Sequence, residues 1–437
     1  MTYDYNDRRP EFIGWNKLSE REQYLLTESK TFCMLPWTHL HAWPTGEVLP
    51  CCLSSPPTGT LGNLKENTLE EIWNGSPLRK IRQNMLEDKQ SIACKRCYEQ
   101  EESGFFSMRY SGNKRFGHHI SKVKETKEDG TVEKMELTYW DIRFSNLCNL
   151  RCRSCGHLFS SNWYEDQAAM IEDDKQAKGW GKVWKSGNPR INYAGRTQTD
   201  AWEQLEPHLD HVEHIYFAGG EPLIMDEHYR ILNALLDKGK NTVRLIYNTN
   251  FTELRYKKQN VLELWNQFTN VCIGASLDDM GPRAEYMRKG TDWAQIERNR
   301  EDMMRISPNV DFYISPTLSI MNARSIVDFH RDWVDKGLIT PSALNVNILQ
   351  DPQWFRLDVL PADYKREIEQ RYTDHIEWLR PLDHLKRAIT GFESAINFMN
   401  ADDKSDQLPT SRHKLEQMDR IRGENVFDVI PELKGIL

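Results

Sequence analysis

Residues 144–156 read FSNLCNLRCRSCG and set Cys148, Cys152 and Cys155 in a CxxxCxxC arrangement. The segment just before it, LTYWDIRFS, is short and apolar with aromatic and β-branched residues, so the three thiols stand in the loop after a strand. Three thiolates this close can hold three corners of a [4Fe–4S] cluster and leave the fourth iron open to an exogenous ligand. A structural zinc site instead closes with a fourth Cys or His. His157 follows directly, so zinc is the competing reading.

Outward from this loop, short apolar segments alternate with amphipathic ones. HVEHIYFAGG, TVRLIYNTN, VCIGASLDD, VDFYISPTLSI and ALNVNILQD continue the series that LTYWDIRFS opens, with helical stretches such as DEHYRILNALLDKG and AQIERNREDMMRIS between them. Such βα units imply an α/β domain with a parallel sheet, and six strands suggest a partial or complete barrel over residues 136–350. Residues 157–210, polar and Trp-rich, read as an insertion with helices. Residues 351–437 carry apolar positions at three and four spacing and read as a helical extension. Residues 1–135 are rich in turn signals and read as a loop-rich module, which buries too little apolar surface to be stable without a bound metal. The charged stretch SKVKETKEDGTVEKME at 121–136 reads as a solvated linker or hairpin.

The chain's 437 residues suit about three domains. Its 57 Lys and Arg against 65 Asp and Glu leave a net charge of -8, spread along the sequence, which argues against a nucleic-acid scaffold. No apolar run is long enough to cross a bilayer, and the start lacks the apolar core of a signal peptide, so a reducing cytoplasm is expected. The nine cysteines must then be explained without disulfides. Eight fall in tight groups, as metal ligands do. The ninth, Cys272 in NVCIGASL, is expected to pack as a small buried hydrophobe on a strand.

Further motifs fall at the ends of the expected strands. FAGGEPL supplies Gly219, Gly220, Glu221 and Pro222; YNTN at 247–250 supplies Asn248 and Asn250; ASLDD supplies Ser276 and Asp278; and Arg288 follows in EYMRKGTD. In this order, together with CxxxCxxC, the sequence resembles the radical SAM superfamily, whose fold is a (β/α)6 partial TIM-type barrel. The resemblance implies that Cys148, Cys152 and Cys155 hold a [4Fe–4S] cluster that chelates S-adenosylmethionine (SAM). It implies that Gly219, Gly220, Glu221 and Pro222 meet the SAM amino group, where glycines allow close backbone approach and carbonyls and carboxylate accept from an ammonium. Asn248 and Asn250 would face the ribose, and Ser276 and Arg288 would grip the carboxylate, for which a guanidinium is the natural bidentate partner. Asp278 shares that strand end. Asn345, Asn347 and Leu349 fall where the last strand lines the adenine side. Ser154 stands where the family commonly has an aromatic.

Nearer the amino terminus, Cys33-x12-Gly46-x4-Cys51 and Cys94-x2-Cys97 form a second set. By spacing it ligates one [4Fe–4S] cluster or one zinc ion, with Cys52 a spare thiol or a substitute for Cys51. The strings CMLPWTHLHAWPTGEVLPCC and CKRCYEQEESGFFSMR resemble the twitch or SPASM auxiliary-cluster module, here placed before the barrel. His39 and His41 alternate as on a strand and read as structural or as cluster-tuning. The resemblance implies an enzyme that modifies a peptide or protein side chain, or alternatively a small molecule, with an electron donor such as flavodoxin or ferredoxin. A non-catalytic, metal-stabilised binding protein is the alternative from another class. No catalytic acid or base stands out; His157, Trp163 and Tyr164 follow the cluster loop and read equally as packing residues.

Overall fold

The computed structural model describes residues 14–102, 106–173 and 189–437. In chain order the strands are β1 (His39–Ala42), β2 (Glu47–Leu49), β3 (Gly62–Asn63), β4 (Tyr139–Ile142), β5 (Arg151–Cys152), β6 (His214–Phe217), β7 (Arg244–Thr249), β8 (Arg255–Tyr256), β9 (Gln259–Asn260), β10 (Val271–Ala275), β11 (Arg288–Lys289), β12 (Asp311–Ile314), β13 (Thr317–Leu318) and β14 (Asn347–Ile348). The chain divides into two compact units, Met1–Ser145 with Asn192–Gly219 and Tyr229–Leu245, and Asn146–Ile191 with Gly220–His228 and Ile246–Leu437.

In the first unit the strands run side by side in the order β6–β4–β1–β2–β3. β4 is parallel to both β6 and β1, with His39 opposite Tyr139 and His41 opposite Asp141. β2 turns back antiparallel, and Gly46 makes that turn at φ 98°, a conformation glycine adopts at little cost. The boundary expected at 135/136 is therefore displaced: β1 extends the ladder of the first βα strand, and the loop-rich module is not a free-standing domain. Hydrogen bonds between strands 100 residues apart in sequence leave no local signature that could have shown this.

This module carries two consecutive helices, Leu69–Trp73 and Ser76–Leu86, the second with Gly75 as its N-cap. The second helix buries Leu78, Ile81 and Met85, and also Arg82, whose guanidinium lies 4.4 Å from the Trp73 ring and donates to the carbonyls of Pro36 and Trp73. The stretch at 121–136 is not a solvated linker. It continues a 3-10 helix (Gly117–Glu125) that buries Ile120 and Val123, and its turn is held by Arg82 on the Gly130 carbonyl and Trp73 on the Val132 carbonyl. Its charged residues pair within the stretch, Lys122 with Glu136 and Lys127 with Glu133, or outside it, Lys124 with Glu22 and Asp129 with Arg79, while the apolar ones anchor it, which charge composition alone conceals.

In the second unit β12, β10 and β7 run side by side, with β10 parallel to β12. β10 is buried throughout, as a strand covered on both faces is. β7 alternates buried and half-buried positions. Helices follow as expected: Asp292 caps Trp293–Ile306 through the Gln295 N–H, and Ile326–Asp335 turns Ile326, Val327, Phe329, His330 and Trp333 inward. The sixth strand, β14, is two residues long and pairs in parallel with β13. The α/β class with parallel strand–helix repeats is thus as read from sequence. The carboxyl-terminal region is helical, with Ala362–Leu379, Arg387–Ala401 and Leu408–Arg422. Of the expected insertion, 174–188 lies outside the described residues, and helices Trp163–Asp173 and Asp200–Leu205 flank it. Among the described residues no helix is long and apolar enough to cross a membrane.

Candidate iron–sulfur and ligand sites

In the first unit Cys33, Cys51, Cys94 and Cys97 line one cavity with Leu35, Pro50, Leu53, Met85 and Arg109. Burial pushes the thiols up, Cys94 to about 12 and Cys97 to about 11, and each feels the charge of Cys51. Buried thiols of this kind ionise only when a bound cation compensates them. Cys52, the next residue, takes no part in this cavity; its thiol is buried beside Asp141 and Arg143. Consecutive side chains diverge, and the choice of which of the two lines the cavity falls to Cys51. Spacing could not make it, because either residue satisfies the pattern. The wall is braced by Arg109, 2% exposed, which donates to the carbonyls of Ser29 and Phe32 and pairs with Glu101.

Tetrahedral zinc, with bonds of about 2.3 Å, brings thiolate sulfurs to about 3.8 Å from one another. Among the described residues no three cysteine sulfurs lie within 4.8 Å of one another; the one such His, Cys, Asp and Glu group is His118, His119 and Glu213, where two imidazoles pair with one carboxylate at 2.8 and 2.9 Å. Cys51→Ser is expected to remove about four irons and their visible absorbance, while Cys52→Ser keeps them. Iron analysis after anaerobic loading checks this, and the reverse outcome would contradict the placement.

His39 and His41 lie on one face of β1, buried, with Nδ1 atoms 3.0 Å from the Tyr139 carbonyl and 3.1 Å from the Asp141 carbonyl. His41 Nδ1 also stands 2.8 Å from the Asp141 carboxylate. Burial lowers His39 to about 4, so it is neutral near pH 7. The pair ties β1 to β4 and does not point at the thiol cavity. Cys272 is buried on β10 as expected, and its S–H also reaches the Asp311 carboxylate at 3.4 Å.

In the second unit the loop carrying Cys148, Cys152 and Cys155 is fastened at nearly every residue. β5 pairs antiparallel with β11, Arg288 opposite Cys152. The Arg153 N–H donates to the Met287 carbonyl, Trp163 Nε1 to the Cys152 carbonyl at 2.8 Å, and Asn162 Nδ2 to the Asn149 carbonyl at 2.9 Å. Trp163 is thus a fully buried brace. The His157 ring stands edge-on to Tyr164 at 5.3 Å, and its pKa is lowered by burial, against a hydrogen bond to the Pro189 backbone. The thiols of Cys148 and Cys155 are pushed up by burial first and by Cys152 second, Cys155 to about 12.

Of the remaining sequence candidates, Gly220, Glu221, Asn250 and Arg288 contact this loop, Asp278 joins it through Arg288, and several take other roles than expected. Gly220 approaches backbone: a Cβ there would lie 2.1 Å from the Leu147 carbonyl oxygen, and the Glu221 N–H donates to that same oxygen at 2.7 Å. Gly219 has φ 125°, and Pro222 opens the turn that follows. Glu221 is buried, and its carboxylate accepts from Thr249 Oγ1, the Asn250 N–H and the Leu223 N–H at 2.7, 2.7 and 3.0 Å, which ties this turn to the end of β7. Burial nonetheless raises it to about 7. Asn250 is committed to the cluster loop through Asn149 Oδ1 at 2.8 Å, while Asn248 stands beside Gly274 and Tyr313. Ser276 is half-buried, its N–H on the Thr249 carbonyl. Arg288 does not present a free fork: its Nε and Nη2 hold Asp278 at 2.8 and 2.9 Å, and its Nη1 lies 3.6 Å from Cys152 Sγ. Asn347 donates to Ser315 Oγ at 2.9 Å, the Asn345 N–H to the Ile314 carbonyl, and Leu349 is buried. Gly220→Ala is expected to cost about 1–3 kcal/mol, because the atoms it meets are backbone and cannot swing aside. Denaturant midpoints measure this, and an unchanged midpoint would contradict the close approach.

Missed from the sequence are Arg153 and Arg422. Arg153, fully buried between two of the cysteines, packs 3.6 Å from the Tyr286 ring and pairs with Asp419 at 2.6 Å and Glu424 at 2.5 Å. Arg422 pairs with Asp166. Their partners lie more than 250 residues away in sequence, and no local pattern marks them.

Residues 33–98 match the SPASM family, an iron–sulfur cluster-binding domain. This match favours an iron–sulfur cluster over zinc for the amino-terminal module. Five cysteines complete only one such cluster. Among curated proteins none matches the chain. Solved structures that resemble it include native anSMEcpe with bound AdoMet and Cp18Cys peptide, at 17% identity over 54% of this chain and 58% of that one with a TM-score of 0.33. Another is Streptococcus suis SuiB bound to precursor peptide SuiA, at 13% identity over 71% of this chain and 68% of that one with a TM-score of 0.37. The chain thus spans less than two thirds of the first of these. At such scores the likeness is loose, and the functional reading rests on the residues themselves.

Proposed function

We propose that the chain is a radical SAM enzyme that abstracts hydrogen from a substrate, a peptide or protein side chain by the resemblance of its amino-terminal module. The observation that carries this reading is the Cys148, Cys152 and Cys155 loop: three thiols on one short loop, Cys152 buried and Cys148 and Cys155 half-buried, with Glu221, Asp278 and Arg288 around them. When bound there, a reduced cluster and SAM supply a one-electron cleavage to methionine and a 5′-deoxyadenosyl radical, which takes hydrogen from the substrate.

The chain's own residues hold and orient. Cys148, Cys152 and Cys155 are the ligands, and burial keeps their thiols protonated until iron replaces the protons. The Arg288 and Asp278 pair places a guanidinium against Cys152, where it favours the thiolate. Glu221 fixes the turn after β6 to the end of β7, so that the Gly219–Pro222 backbone is rigid before a ligand arrives. Carboxylate oxygens at Glu221 and Asp278 give the site an acceptor character suited to an ammonium. Cys33, Cys51, Cys94 and Cys97 hold the auxiliary cluster, whose place in electron transfer requires an external donor such as flavodoxin or ferredoxin for the first electron.

The test is spectroscopic. Anaerobically loaded, dithionite-reduced protein should show a cluster EPR signal whose shape changes on adding SAM. A signal indifferent to SAM would leave only the metal-stabilised scaffold.

A further inference from the structure

Arg422 ends the helix Leu408–Arg422, which Gly423 closes in the left-handed conformation at φ 66°. Its side chain is 0% exposed, and its Nε donates to Asp166 Oδ2 at 2.9 Å. The other Asp166 oxygen takes Arg151 Nη1 at 2.8 Å, from within the cluster loop. The guanidinium lies 4.9 Å from the Trp163 ring, the ring whose N–H holds the Cys152 carbonyl. Nη1 and Nη2 are buried with no hydrogen-bond partner. A buried guanidinium with an open edge is costly unless an acceptor completes it.

We propose that Arg422 is a positioning residue of the SAM-binding cluster, its open Nη edge and buried charge, packed on the Trp163 that holds the Cys152 carbonyl, keeping that cluster at a higher reduction potential. This rests on the functional reading above. Hydrogen bonds and positive charge at cluster sulfurs favour the reduced, more negative state. The carboxyl-terminal helices are then part of the redox centre. Arg153 clamps the same helix from the loop through Asp419, so the position of Arg422 is set by the cysteine loop itself.

The experiment is an EPR-monitored redox titration of wild type, Arg422→Gln and Arg422→Lys, loaded anaerobically in the full chain. In Arg422→Gln the reduced fraction at fixed potential should fall about tenfold, 59 mV for a one-electron couple. Arg422→Lys keeps charge but loses the fork and should fall between. Iron content and the potential of the amino-terminal cluster should not change. An unshifted midpoint in Arg422→Gln would overturn the proposal, as would loss of iron from the three-cysteine site in both variants, which would assign a purely structural role. Should Arg422→Gln not fold, Arg422→Lys decides alone, an unshifted midpoint overturning the proposal. A wild-type signal indifferent to SAM would defeat the functional reading instead, while the comparison of midpoints would still judge Arg422.

Discussion

Replacing Cys148, Cys152 and Cys155 together by alanine should leave a folded, brown protein with about four irons, half of the loaded wild type, and no SAM cleavage. The two thiol sets are held by separate means. Cys33, Cys51, Cys94 and Cys97 close around a cavity of their own, braced by Arg109 and by Asn113, whose Oδ1 takes the Met34 N–H at 2.8 Å. None of those contacts involves the CxxxCxxC loop. Iron analysis and absorbance on the anaerobic variant measure the outcome. Complete loss of iron would mean that the amino-terminal set binds none by itself, and retention of about eight irons would mean that the three cysteines are not ligands.

Arg153→Ala should be the most destabilising single substitution in the cluster loop, by about 3–5 kcal/mol. The arginine is fully buried, stacked on Tyr286, and faces Asp419 and Glu424. Its removal strands Asp419 without its cation, although Tyr286 Oη and the Val426 N–H still donate to that carboxylate, while Glu424 keeps Lys289 at 2.7 Å. Removing one partner of a buried pair costs more than the pair contributes net, because the other charge stays desolvated. Chemical denaturation followed by tryptophan fluorescence reads the change. A shift below about 1 kcal/mol would place the network in solvent-screened territory and contradict its burial.

What was legible in the sequence was what local spacing encodes. CxxxCxxC, the strand-end motifs and the paired Cys94 and Cys97 each lie within a short stretch of sequence. The alternation of β7 and the buried run of β10 likewise gave the α/β class. What was not legible depends on direction or on distance along the chain. Cys51 and Cys52 are equivalent by spacing and differ only in which way their side chains leave the turn. Arg288 reads as a free bidentate arginine until Asp278 is seen to occupy its fork. Glycines and the Glu of GGEP read as ligand contacts, yet Gly220 and Glu221 first serve to lock backbone to backbone. The pairing of β1 with β4 and the grip of Arg153 and Arg422 on the last helices are tertiary events that no window of sequence contains.

The most direct measurement is mass-spectrometric detection of 5′-deoxyadenosine from anaerobic, cluster-loaded protein given SAM and dithionite, with the Cys148, Cys152 and Cys155 triple alanine variant alongside. The expected result is 5′-deoxyadenosine with wild type and none with the variant. Its absence from wild type as well, with full iron content and a broad pool of peptides and small molecules supplied, would contradict the assignment as a radical SAM enzyme.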